Sequence, residues 1–361
     1  MKRIPYIFVI AIGMVACKQE KPQEQTASIE KPIVQDTLPI APSVITDTTL
    51  HDTDDPAIWI NRDDLSKSLI IGTDKDEDGA LYVFDLNGKE VPGKSVHGLK
   101  RPNNVDIEYG FSFGGKSIDI AVVAERLTHK IRVFSLPDMQ PIDNGGLEVY
   151  QGETGEEFRD LMGISCYKYP DGKIDVIVGR KNGPTDGTYL WQYRLSEKSG
   201  KLHAELVRKF GTYSGKNEIE AIAVDDELGY VYFSDEGVGI RKYYADPAKG
   251  NEELALFGTE GFKEDHEGIS IFKKDATSGF IIVSDQQVNS FRIFPREGQG
   301  NNPHDHPHLH TAKVQANESD GSDVTEVALP GFETGMFVAM SDNKTFHFYH
   351  WKDIAGPLYK K

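Results

Sequence analysis

The sequence predicts an all-β fold, a six-bladed β-propeller with four-stranded antiparallel blades. Six times, at spacings of 47 to 58 residues, a short polar or small-residue opening leads into an alternating strand. The openings are Asp55-Pro-Ala-Ile-Trp, Asn104-Val-Asp-Ile-Glu, Met162-Gly-Ile-Ser-Cys, Glu220-Ala-Ile-Ala-Val, Glu267-Gly-Ile-Ser-Ile and Asp323-Val-Thr-Glu-Val. Each is followed by a second apolar strand and a third ending in aromatics, and a period of this length built from strands alone is that of propeller blades. Residues 46–361 are also about the right length for one such ring.

The elements follow in chain order. Lys2 and Arg3 precede an apolar run, Ile4 to Ala16, too short to span a bilayer, which reads as a signal peptide over 1–17. It ends Met14-Val15-Ala16-Cys17, the pattern of a bacterial lipobox, so the protein is expected to be exported and held on the cell envelope by lipid on Cys17. Residues 18–45 are polar, Pro-rich and aperiodic, and are expected to form a disordered tether. The second strands are expected at 69–73, 118–124, 174–179, 230–234, 280–284 and 336–341, and the third at 81–85, 130–135, 189–194, 240–244, 290–295 and 345–351. Fourth strands are fainter, with candidates at 202–210 and 308–315. Only Cys166 remains beside Cys17, so no intramolecular disulfide is expected, and Cys166 reads as a small core residue.

Charge narrows the function. The formal net charge is −17, and loss of Lys2 and Arg3 with the signal makes it −19, a surface that repels nucleic acid and anionic lipid. In a blade the first two strands are antiparallel, so first-strand starts and second-strand ends share one face. The second-strand ends of blades one to three offer Lys75, Arg126, Arg180 and Lys181; those of blades four to six offer Asp235, Glu236, Asp285 and Asp342. First-strand starts add Asp54, Asp55, Asp106, Glu220, Asp265, Glu267, Asp320 and Asp323. Many hard oxygen donors without Cys or paired His favour calcium, and an adjacent Lys/Arg arc provides charge-assisted hydrogen bonds to phosphate.

At these residues the chain resembles the β-propeller phytases, calcium-dependent enzymes that release phosphate from inositol hexakisphosphate. The resemblance rests on Asp54-Asp55-Pro56-Ala57-Ile58-Trp59 and Asn103-Asn104-Val105-Asp106-Ile107. It continues, in order, through Thr73-Asp74-Lys75, Glu220-Ala-Ile-Ala, Asp265-His-Glu267-Gly and Asp320-Gly. It implies several calcium ions held by Asp54, Asp55, Asn104, Asp106, Glu220, Asp265, Glu267, Gln286 and Asp320, and substrate phosphates held by Lys75, Arg126 and Arg180 or Lys181. Asp55, Glu220, Glu267, Lys75 and Arg126 are then the expected catalytic group. Water attacks one phosphate while a neighbouring phosphate occupies a second, affinity site, with no covalent nucleophile. The expected partner is a small-molecule polyphosphate, bound by a monomer.

The chain departs from the family in three places: Met162 stands where a Tyr is common, the register at Arg180-Lys181 is ambiguous, and the acidic run near Asp342 is thin. Two other readings stay open, a calcium-dependent lactonase and a non-catalytic propeller that binds a phosphorylated or protein partner. The spacing Asp74-x-Asp76-x-Asp78-Gly79 with Asp85 at the twelfth position matches a calcium loop, although here between strands. His304, His306, His308 and His310 alternate, and Pro303 and Pro307 mark them as an exposed loop.

Overall fold

A computed structural model describes Met1 and residues 38–155 and 157–360; the export signal, Cys17 and residues 18–37 of the expected tether lie outside them. Six antiparallel sheets follow one another along the chain. Their innermost strands are Thr53–Trp59, Pro102–Phe113, Leu161–Lys168, Ile222–Asp225, His266–Lys273 and Ser322–Thr325. Each pairs with the next strand in sequence, Leu69–Asp74, Lys116–Glu125, Ile174–Arg180, Tyr230–Asp235, Gly279–Asp285 and Met336–Ser341 respectively. The fourth strands foreseen in blades three and five are Lys201–Phe210 and His310–Lys313. This is the six-bladed propeller that the repeat predicted.

The last blade differs from expectation in its fourth strand. Its outermost position is filled by Val44–Ile45, with Val44 opposite Phe348 and Ile45 opposite His347. The boundary expected at residue 45 therefore falls beyond this strand. After Thr345–His350 the chain turns into the short helix Trp351–Ala355, and the described residues beyond it form no further strand. The edge of blade six is instead paired by the start of the folded region, which closes the ring through backbone hydrogen bonds and leaves that edge covered.

Packing explains why the blades read as almost uniformly apolar strands. Each hydrophobic cluster spans two neighbouring blades: Ile58, Ile70 and Phe84 of blade one meet Met336, Val338 and Phe348 of blade six, and Val122 and Val133 of blade two meet Val176 and Trp191 of blade three. A sheet buried on both faces loses the polar alternation of a half-exposed one. Cys166 is one of these buried residues, as expected.

The calcium-loop spacing after Asp74 does not close. Strand Gly79–Phe84 separates Asp74 from Asp85, a span of about 20 Å at the rise of an extended chain. Asp85 instead accepts from Asn87 and Lys89 in the turn at that far end. Nor is the histidine row an exposed loop throughout. His306 is buried, its Nδ1 2.7 Å from the Pro295 carbonyl and its Nε2 3.2 Å from the buried Lys242 ammonium.

Candidate active site

The innermost strands of blades one, two, three and five carry the same irregularity at their starts. Two residues of the first strand lie opposite one of the second, between Thr53 and Pro56, Pro102 and Val105, Leu161 and Ile164, and His266 and Ile269. An extra residue bulges the strand and re-aims its side chains. The bulges fall on Asp54-Asp55, Asn103-Asn104, Met162-Gly163 and Glu267-Gly268, so paired polar residues at a strand start both reach the mouth or the neighbouring blade. The second residue of each pair staples the ring: Asp55 Oδ2 accepts from the Val105 amide at 3.1 Å, and Asn104 Oδ1 from the Gly163 amide at 2.7 Å. Glycine is required where blades five and six close on this joint. A Cβ on Gly321 would lie 2.4 Å from Asp55 Oδ1, and one on Gly268 would lie 2.7 Å from the Asp320 carbonyl.

At the mouth, one oxygen from each of Glu220, Glu236 and Glu267 lies within 4.8 Å of the others. Glu236 and Glu267 are buried, and Glu267 Oε2 has no hydrogen-bond partner among the described residues. Burial, then Asp54 and Asp320, push the Glu220 carboxyl well above its ordinary range; burial, then Glu220 and Glu236, do the same to Glu267. Burial pushes Glu236 and Asp320 up to about 7. Asp320 accepts from Lys75 and Gln286, and Lys75 also bonds Asp54 at 2.9 Å. Burial alone would lower the Lys75 amine; Asp54 and Asp320 reverse this and hold it above the usual lysine value. Asp265 joins the rim through Gln287, 2.6 Å from its Oδ2. Asn103 donates to Asp54 at 3.0 Å, while its own Oδ1 is buried with no hydrogen-bond partner among the described residues.

This arrangement has an excess of buried negative charge that one lysine does not neutralise. Its donors are all oxygen, and two of them, Glu267 Oε2 and Asn103 Oδ1, have no hydrogen-bond partner among the described residues. Such a set fits hard divalent cations.

Beside it lies a cavity of about 880 Å³ whose wall includes Arg101, Arg126, Lys181, Tyr213, Lys216 and Glu236. Arg126 is held by the Leu161 carbonyl at 3.2 Å and touches the Sδ of Met162, the residue that stands where the family commonly has a Tyr. The ambiguity at Arg180-Lys181 resolves in favour of Lys181, which lines the cavity and pairs with Glu218 at 2.6 Å. Arg180 is fully buried, 4.5 Å from the Tyr150 ring and bonded to the Phe158 and Thr188 carbonyls. Its assignment to substrate is therefore corrected: it is the last residue of a second strand, whose side chains alternate between faces, and it enters the packing of blades two and three. Arg180→Ala should destabilise the fold by roughly 3 kcal/mol, since it opens a core cavity and removes the donors to two partly buried carbonyls. Lys181→Ala should leave the denaturation midpoint in place and raise KM. Urea titration with steady-state kinetics checks both, and the reverse pattern would exchange the roles.

Of the other expected ligands, Asp54, Asp55, Glu220, Asp265, Glu267, Gln286 and Asp320 do gather at the mouth. Asn104 and Asp106 are structurally engaged, for Asp106 Oδ2 accepts from Cys166 N at 2.7 Å and Ser165 Oγ at 2.9 Å further along the central channel. Glu236 and Asn103 were not among the expected ligands. Glu236 carried a signal in the Ser234-Asp235-Glu236 strand end, but Asp235 turns to Arg241 and Ser214, leaving Glu236 for the mouth.

Fold and mouth together define a propeller with an acidic centre and a cationic wall, an arrangement suited to a phosphorylated small molecule. The chain belongs to the phytase family, whose model, described as Phytase, matches residues 21–353. A 3-phytase of Bacillus subtilis (strain 168) is 28% identical over 325 residues, covering 84% of this chain and 81% of that protein. A luciferin-regenerating enzyme structure has a TM-score of 0.51 at 12% identity, covering 84% of this chain and 94% of its own. A hydrazine synthase from Kuenenia stuttgartiensis has a TM-score of 0.51 at 9% identity, covering 81% of this chain and 82% of its own. Both structures share the propeller architecture alone.

Proposed function

We propose that this phytase-family chain is a calcium-dependent phosphomonoester hydrolase that releases phosphate from inositol hexakisphosphate. One observation carries the reading: one oxygen from each of Glu220, Glu236 and Glu267 lies within 4.8 Å of the others, and Glu267 Oε2 has no hydrogen-bond partner among the described residues, beside a cavity walled by Arg126 and Lys181. The three glutamates, with Asp54, Asp55, Asp265, Gln286 and Asp320 around them, would hold the ions. When bound, calcium would neutralise charge on the transferring phosphoryl group and lower the pKa of water, the usual contributions of a metal in phosphoryl transfer.

The remaining work falls to the chain itself. Lys75, fixed between Asp54 and Asp320, keeps its ammonium at the border of the acidic cluster, where it can meet a phosphate oxygen without reorganising. Arg126 is immobilised by Leu161, so its guanidinium is presented to the cavity in one orientation. The Lys181–Glu218 pair is half exposed and weak in water, so a polyanionic substrate can take the ammonium from Glu218.

Residues 38–361 should release phosphate from inositol hexakisphosphate with added calcium and lose that activity in a chelator, while circular dichroism still reports a folded β protein. Release unaffected by the chelator would remove calcium from the reading. No release at any calcium level would remove the hydrolase.

A further inference from the structure

Two of the oxygen donors at the mouth, Asp265 and Gln286, stand at neighbouring strand ends of blade five, and one side chain touches both. Asp265 directly precedes the innermost strand His266–Lys273, and Gln286 directly follows the second strand Gly279–Asp285. The ladder between these strands ends with His266 opposite Asp285, so Asp265 and Gln286 lie beyond its backbone pairing. Gln287 takes over there. Its Nε2 donates to Asp265 Oδ2 at 2.6 Å and to Gln286 Oε1 at 2.9 Å, and its Oε1 accepts from the Asp265 amide at 3.1 Å. Both N–H groups and one lone pair of a single side-chain amide are spent on these two residues.

Gln287 is itself held. It is half-buried in the single turn Gln286–Val288, which ends on Asn289 in the left-handed region, φ 52°. Asn289 donates to Asn317 Oδ1 and accepts from the Glu318 amide, both at 2.9 Å, which ties the turn to the segment leading into blade six. The bonds to Asp265 answer an electrostatic need. Asp265 stands two residues before Glu267, beside the crowded carboxylates of Glu220 and Glu236, and repulsion alone would turn its side chain to solvent. A lysine or arginine could hold it, but would bring the counter-charge that an ion should supply. The amide of Gln287 is neutral, so it fixes the carboxylate and leaves its charge in place. Asn217 Nδ2, 3.4 Å from Oδ1, adds only a weak contact.

We propose that Gln287 is a positioning residue of this mouth: it holds Asp265, and with it Gln286, ready for calcium, and so sets the calcium concentration the protein requires rather than its turnover once loaded. Ordering these side chains within the fold removes that entropic cost from ion binding. The assignment rests on reading the mouth as a calcium site.

Gln287→Met keeps the length of the side chain and removes its amide. In isothermal titration calorimetry of the substrate-free protein, calcium affinity should fall about tenfold, the loss common for a group that orients a metal-binding carboxylate. The free calcium that half-saturates phosphate release should rise by the same factor, with kcat at saturating calcium unchanged. In an Asp265→Asn background, where the carboxylate is already gone, the calorimetric effect of Gln287→Met should shrink to about twofold, since residues that act through one another are not additive. Unchanged affinity in Gln287→Met, or a tenfold loss that persists in the Asp265→Asn background, overturns the assignment alone. A parent chain that takes up no calcium would overturn the metal reading of the mouth and this assignment with it. A parent that binds calcium but releases no phosphate would overturn the hydrolase alone, and the calorimetric comparison would still decide for or against Gln287.

Discussion

Glu220→Gln should lower phosphate release by about a thousandfold and, in the same protein, raise the melting temperature measured without calcium. The two effects have one origin. Glu220 shares a space of 4.8 Å with Glu236 and Glu267, and burial together with Asp54 and Asp320 makes its ionised form unfavourable. Glutamine keeps the shape and removes the charge, so the metal-free cluster loses repulsion. With substrate present the same change would withdraw one of the proposed ligands from the site where charge must be neutralised, and a deficit of about 4 kcal/mol in the transition state corresponds to three orders of magnitude in rate. A lower melting temperature would mean that Glu220 is a structural residue, and unchanged turnover would move the site elsewhere. Asp55→Asn is a less direct test, since the Asp55 carboxylate also holds the Val105 amide of the next blade.

The second large effect is on stability against pH. Without calcium, the melting temperature should fall as pH rises from 5 to 8, and saturating calcium should abolish the fall. Burial raises Glu236 from 4.5 and Asp320 from 3.8 to about 7, and Glu220 and Glu267 are raised well above their ordinary values. Across that interval the folded state holds protons that the unfolded chain has released. The associated stability is complete below about pH 4 and is lost as pH climbs through 7. In the channel, Asp226 and Asp323, also raised by burial to about 7, act in the same direction. His306 and His347, lowered by burial to about 4, act oppositely between pH 4 and 6.5, but they are fewer. A change of two to three pKa units in one carboxyl is on the order of 3 kcal/mol, which for a chain of this size is about 5 °C. Calcium held by the assembled cluster alone would replace the protons as counter-charge. Differential scanning calorimetry at pH 5, 6, 7 and 8, with calcium and with a chelator, reads the effect. A melting temperature that rises with pH in the chelator, or ignores calcium, would contradict the acidic cluster as the metal's seat.

Much of this was legible in the chain. The repeat of openings located all six inner strands, because a strand that packs on both faces must be apolar along its length and must end in turn residues, and both marks survive in one dimension. Of the charges sorted by blade, Lys75, Arg126, Lys181 and Glu236 lie at the mouth, whereas Arg180 is buried and Asp235, Asp285 and Asp342 are bonded to Arg241, Arg292 and Asn317. The missed features depend on partners distant in sequence. Val44–Ile45 is polar-flanked and only two residues long, so nothing local marks it as a strand; it becomes one because blade six offers an unpaired edge. The choice between Arg180 and Lys181 could not be made from two adjacent cations, since a single residue of register decides which enters the core. The Asp74 loop failed for the opposite reason, because its spacing is correct in number but spans an extended strand.

By itself, then, the sequence determined the architecture, the polarity of the mouth and the chemical type of its donors, since periodicity and side-chain chemistry are local properties. The tertiary structure alone decided which of those donors remain free. Asp106 is consumed in joining blades two and three and Asp235 in holding Arg241, whereas Glu236 and Glu267 keep unsatisfied capacity at the mouth. A polar side chain is available for function only when no neighbouring backbone has already satisfied it, and that neighbour is set by ring closure, some fifty residues away in the chain.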